Sequence, residues 1–202
     1  MHRMIERLVR LSAAVAARRD DAIEETMRGL AGVAGGDRTA VEEALLQSYL
    51  FVGYPVALGA IARWRRISGL TAPPAGGEDW EAWMRRGAEV CRRVYGGKYE
   101  ELRENVRALH PDLERWMVAE GYGKVLGRPG LELADRELCI VATLAVLDTQ
   151  PQLYSHLRGA LHAGASAADV ASAHTAAGML TDAATTGRAR ATWERVRARH
   201  RT

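Results

Sequence analysis

The chain has 202 residues, 48% of them hydrophobic and 26% charged, with a formal net charge of +3, a profile of one large or two small globular domains with a real core. Its two cysteines, Cys91 and Cys139, are too few and too far apart for a disulfide scaffold, a multi-cysteine zinc or iron–sulfur site, or a CxxC redox centre. No stretch reaches ~18 uninterrupted apolar residues, and the charged first ten residues lack a signal peptide's apolar centre, so the expectation is a cytoplasmic protein with no membrane partner.

Ala fills 35 positions and Phe one, which favours helices over strands. Apolar residues recur at helical spacing along almost the whole chain. Met4, Ile5, Leu8, Leu11 and Val15 form a first stripe. Ile23, Met27 and Leu30 form a second, closed by Gly35 and Gly36. Thr39 with Glu42 has the spacing of a capping box and opens the run Val41 to Val52. Pro55 starts a further helix through Val56, Ala60, Ile61 and Trp64. Gly69 to Gly77, with Pro73 and Pro74, reads as a linker.

Beyond the linker, Asp79 caps a predicted helix carrying Trp80, Trp83, Gly87, Val90 and Val94, which Gly96 and Gly97 end. Helices over 98–109 and 111–120 follow, the second with Pro at a favoured first-turn position. Residues 122–132 read as a loop. Asp135 caps a helix whose run Leu138 to Leu147 is apolar nearly all round, hence central. Pro151 opens its partner, Gly164 ends it, Ser166 with Asp169 starts the next helix, and Asp182 starts the last. No segment alternates with period two, so no sheet is expected. The arginines from Arg188 to Arg201 read as the solvated end of a helix, with no nucleic-acid motif beside them.

The chain also repeats itself. Residues 7–65 lie over 136–194: Met27-Arg28-Gly29 falls on Leu157-Arg158-Gly159, Val41 on Val170 and Trp64 on Trp193, with one residue of slippage in the turn between. Each half alone would leave an apolar face open, so the two are expected to pack together.

The stretch Tyr122-Gly-Lys-Val-Leu-Gly-Arg-Pro-Gly-Leu131, then Arg136-Glu-Leu, then Gln152-Leu-Tyr-Ser-His156 with Gly164, resembles the carboxymuconolactone decarboxylase family, which shares its fold with the AhpD alkylhydroperoxidases. Gly87 to Gly97, Leu45 to Tyr49 and Gly53-Tyr-Pro55 are similar to further parts of that fold. The resemblance implies an all-α, AhpD-like helical bundle with an internal repeat of half-domains. It divides the chain into an N-terminal half-repeat without an active site (1–68), a linker (69–78) and a carboxymuconolactone decarboxylase-like domain (79–202). It also implies a homo-oligomer, a trimer for a two-repeat chain, with a dimer as the rival; Trp80 and Trp83 are the expected contact because aromatic residues are enriched in interface cores.

The sequence departs from AhpD-like peroxidases where they carry CxxC. The corresponding positions are Thr149 and Gln152, which leaves no thiolate to attack a peroxide. What remains is Glu137 and His156, matching the family's proton relay, in a chain expected to work without a cofactor. A Glu–His pair is a plausible acid/base unit, because His titrates closest to neutrality. Decarboxylation of a small carboxylic acid or lactone generates a dienolate that must be protonated. Arg128 is the candidate clamp for the substrate carboxylate, and Tyr154 a candidate for the pocket lining. A rise of ~1.5 Å per residue from the turn at Thr149 leaves Glu137 and His156 roughly 9 Å apart along the axis, an offset that direct contact must overcome. Thr26 occupies the place of His156 in the first copy, so one site per chain is expected. His156, His162 and His174 lack metal-ligand spacing, so no metal is expected. The alternative reading is a non-catalytic AhpD-like binding or assembly module.

Overall fold

The computed structural model describes residues 1–32 and 38–200, and every regular element among them is helical. The fold is the expected all-α, AhpD-like bundle. The helix stop expected at Gly35 and Gly36, and Arg201, lie outside the described residues. The chain forms two compact units, residues 1–72 with 130–202, and residues 73–129. The linker expected at 69–78 spans the first boundary. The second, at 129/130, falls inside the 79–202 segment that the sequence reading kept together.

The first unit holds α1 (Arg3–Ala17), α2 (Asp20–Ala31), α3 (Arg38–Ser68), α7 (Leu133–Val146), α8 (Gln150–His162), α9 (Ala167–Gly178) and α10 (Ala183–His200). α7 is the centre: every residue from Arg136 to Ala145 is buried, and it packs on α1, α8 and α9. A helix that is apolar all round has no face to offer water, which is why this one lies inside. It starts at Leu133, two residues before the expected cap. Asp135 sits in its first turn, where burial raises the carboxyl above its ordinary value.

α3 turns sharply at Gly53 (φ 77°, ψ 166°), directly ahead of Pro55, as the sequence break suggested. Gly reaches this backbone without the Cβ penalty. Glu42 does not serve the helix start. It accepts from Trp64 Nε1 at 2.7 Å and pairs with Arg65, tying the two halves of α3 together. Ser166 and Asp182 cap α9 and α10 as expected, accepting from the backbone N–H of Asp169 at 3.1 Å and Thr185 at 2.7 Å.

The second unit contains α4 (Trp80–Tyr95), α5 (Tyr99–Leu109) and α6 (Pro111–Trp116), which continues as a π-helical stretch over Met117–Leu126. Asp79 caps α4 through Ala82 N–H at 2.8 Å. The loop expected over 122–132 is therefore helical to Leu126. The reason is packing: α4 and the π stretch approach so closely that a Cβ on Gly87 would run into the Val118 carbonyl, and one on Gly123 into that of Trp83. Glycines that usually signal a loop here permit backbone-to-backbone contact. Trp80 and Trp83 lie under Arg115 and Lys124, with cation-to-ring distances of 5.8 and 4.8 Å.

Candidate functional site

The buried stretch of α7 from Arg136 to Ala145 carries one carboxylate, Glu137, and no part of it reaches solvent. α8 presents His156 on the same stripe as Leu153, Leu157 and Ala160, so the imidazole faces α7 and is only 7% exposed. His156 Nδ1 lies 2.8 Å from Glu137 Oε2. The offset of roughly 9 Å for side-by-side helices is thus overcome without an intermediary.

The bond fixes the ring chemistry. A carboxylate in its ionised form only accepts, and with such a partner the ring would carry its proton on Nδ1 and leave Nε2 as the edge not engaged by Glu137. The Phe51 ring stands edge-on to the imidazole at 5.8 Å and 85°. It comes from the last turn before the Gly53 kink. The second carboxylate oxygen, Glu137 Oε1, is buried and has no hydrogen-bond partner among the described residues. An unpaired buried oxygen costs roughly 1–3 kcal/mol, so this carboxylate is held in its place at an expense to stability.

The adjacent Arg136 points elsewhere. Fully buried, it donates to Glu43 Oε2 at 2.8 Å, to the Leu131 carbonyl at 3.1 Å and to Gln47 Oε1 at 3.4 Å, while Gln47 Nε2 returns a bond to the Arg136 carbonyl. Its acid comes from α3 rather than from its own helix. Glu43, Gln47 and Phe51 were missed. The available signal was two polar residues at i, i+4 inside the apolar run from Val41 to Val52.

The remaining candidates are placed differently. Tyr154 is two residues from His156 on α8 and turns towards α10, where its hydroxyl accepts from Arg199 at 2.9 Å and Arg195 covers its ring at 4.8 Å. Arg128 belongs to the second unit, and its role as a carboxylate clamp rests on the motif alone. His162 is exposed. At the positions matching CxxC, Gln152 is exposed and Thr149 is the N-cap residue of α8. Cys139 is fully buried, and desolvation pushes its thiol up to about 12 despite a hydrogen bond with Ser12. A thiol so placed is not a nucleophile at neutral pH.

Residues 111–194 match the model of the carboxymuconolactone decarboxylase family, which shows the resemblance read from the motifs. The chain is also similar to Peroxisomal protein 2 of Schizosaccharomyces pombe (strain 972 / ATCC 24843), with 29% identity over 144 residues. That similarity covers 68% of this chain and 66% of the relative, slightly under two thirds of its length.

Proposed function

We propose that this carboxymuconolactone decarboxylase-like protein is a lyase that transfers a proton at His156 during decarboxylation of a small cyclic or unsaturated carboxylic acid or lactone. The observation that carries the reading is the 2.8 Å bond between His156 Nδ1 and the wholly buried Glu137. When CO2 leaves, the electron pair of the broken C–C bond stays on the substrate as a dienolate, and an imidazolium supplies its proton from Nε2. Glu137 is the positioning residue: it holds the ring, fixes the tautomer and stabilises the imidazolium. The scheme calls on no cofactor.

The duplicated plan belongs to the same reading. Arg18, after α1, and Asp148, after α7, are the two non-Gly residues with left-handed backbone among those described, at φ 54° and 57°. The residue after each bonds back across the helix end, Arg19 N–H to Ala14 at 3.1 Å and Thr149 N–H to Leu144 at 3.3 Å. Trp64 and Trp193, which the overlay superposes, are both buried. Thr26, in the place of His156, gives its hydroxyl to the Ala22 carbonyl at 2.7 Å, which supports one site per chain. Self-association as a trimer is supported by large exposed apolar side chains, Tyr54 and Leu58 on α3 and Leu109, Leu113 and Trp116 on α5 and α6. Trp116 is more exposed than the expected contact residues Trp80 and Trp83.

Turnover of carboxylated lactones by the purified chain, followed by CO2 release, tests the reading. His156→Ala is expected to lower kcat/KM by about 10²–10⁴-fold with the helical circular dichroism unchanged. Neither turnover nor a substrate-induced rise in thermal midpoint for the wild type would overturn it, leaving a non-catalytic binding or assembly module.

A further inference from the structure

A cleft of about 210 Å³ opens in the first unit, far along the sequence from Glu137 and His156, where the turn between α1 and α2 meets the second half of α3. Val15, Ile23 and Ala60 give it an apolar, buried floor, with Pro55 and Val56 on one side. The charged lining residues are Arg18, Asp20 and Arg63. Arg63 is committed: it donates to the Asp20 carbonyl at 3.1 Å and pairs with the Asp20 carboxylate at 3.0 Å. Arg18 is exposed and has no carboxylate partner among the described residues. Gly59 leaves the space open, since a Cβ there would meet nothing within 4 Å.

The corresponding place in 136–194 shows what such a space accommodates. The overlay sets Asp148 on Arg18 and Arg188 on Gly59. In that half the two positions pair with each other: Arg188 Nε lies 3.0 Å from both Asp148 oxygens, Nη2 lies 2.6 Å from Oδ2, and Nη2 also donates to Thr185 Oγ1 at 3.0 Å. In the first half the sign at the turn is reversed, Arg for Asp, and the side chain opposite is reduced to hydrogen. A cation at the end of an apolar cleft, with no side chain to meet it, is complementary to an anion.

We infer that this cleft binds a small carboxylate with a short apolar body, its charged end on Arg18 and its body over Val15, Ile23 and Ala60. The inference goes beyond the chemistry at His156 and does not depend on it, although the choice of sign uses the duplicated plan.

The test is NMR titration of the full chain with hexanoate, benzoate and phenylacetate, and with hexanol as the neutral control. At least one of the three anions should give saturable shifts at Ile23 and Val56, and hexanol should bind at least about tenfold more weakly. Gly59→Leu fills the cleft and should weaken the anion about tenfold or more, with the thermal midpoint held or raised because Leu is the better helix former. Arg18→Asn keeps a residue that tolerates the left-handed turn and should remove the preference for the anion over hexanol. His156→Ala should leave the titration unchanged. Lack of saturable binding by all three anions overturns the inference, as does equal binding in Gly59→Leu. Loss of binding in His156→Ala would place the ligand at the other site, overturning this inference while leaving the proposed function standing.

Discussion

Helices α1 to α3 and helices α7 to α10 run through the same succession: a buried helix, a left-handed turn residue, a second helix, and two more separated by a sharp bend. They differ in what they bury. The second region encloses a carboxylate bonded to an imidazole, with one carboxylate oxygen unpaired. The first has at the place of His156 a threonine satisfied by its own helix. The first region closes without such a pair, which supports the proposed reading that Glu137 and His156 serve chemistry rather than stability.

The sharpest way to break that comparison is at Glu137. Glu137→Gln keeps the shape but removes the charge that fixes the Nδ1 proton. Turnover of the carboxylated lactone should fall about 10²-fold or more, while the thermal midpoint holds, because an amide is less costly to bury than a carboxylate. A collapse of the fold instead would make the pair structural and erase the contrast between the regions.

The next effect in size concerns stability. The Arg136–Glu43 pair joins the regions, with α7 supplying the arginine and α3 the acid, and both are buried. Arg136→Met leaves Glu43 without its cation and should cost about 3–5 kcal/mol in chemical denaturation. Glu43→Leu added to it should recover much of that loss, because a buried pair replaced whole by apolar side chains is often neutral. A loss below about 1 kcal/mol for the single variant would show the two regions held by apolar packing alone.

The helices and most of their ends were legible in the sequence because their causes are local. Asp79, Ser166 and Asp182 cap where their chemistry puts them, and Gly53 with Pro55 breaks α3. What was illegible depends on contacts distant in sequence. Glu42 has the spacing of a capping box and is drawn instead to Trp64 and Arg65. Gly123 reads as a loop residue and lies in a π-helical stretch, because α4 presses against it. At the site, the motif nominated Glu137 and His156, but rise arithmetic on parallel helices kept them apart. The contact that joins them, and the Phe51 ring beside them, come from tertiary packing that no local spacing encodes.

The smallest expected effect separates the regions by pH. His174 on α9 is buried beside Trp193, and its Nδ1 has no hydrogen-bond partner among the described residues. The overlay sets Leu45 at this position in the first region, also buried. Burial, with Arg190 nearby, holds the His174 pKa below the ordinary histidine value, and Glu194 opposes that only in part. A group whose folded pKa is lowered stays neutral in the fold while the unfolded chain already takes up its proton. Stability is therefore fully present above the ordinary value of roughly 6.5 and falls as the pH drops below it, until folded His174 is protonated as well. His174→Leu installs the first region's solution. It removes the orphaned nitrogen, so the thermal midpoint at about pH 8 should be held or raised. It should also remove up to one proton's share of acid sensitivity, at most about 1.4 kcal/mol per pH unit. Thermal melts of both proteins between about pH 8 and pH 5 read the difference directly, with the other histidines common to both. Parallel pH profiles would mean that α9 accommodates the charged ring, and that on this element the two regions bury equivalent surroundings after all.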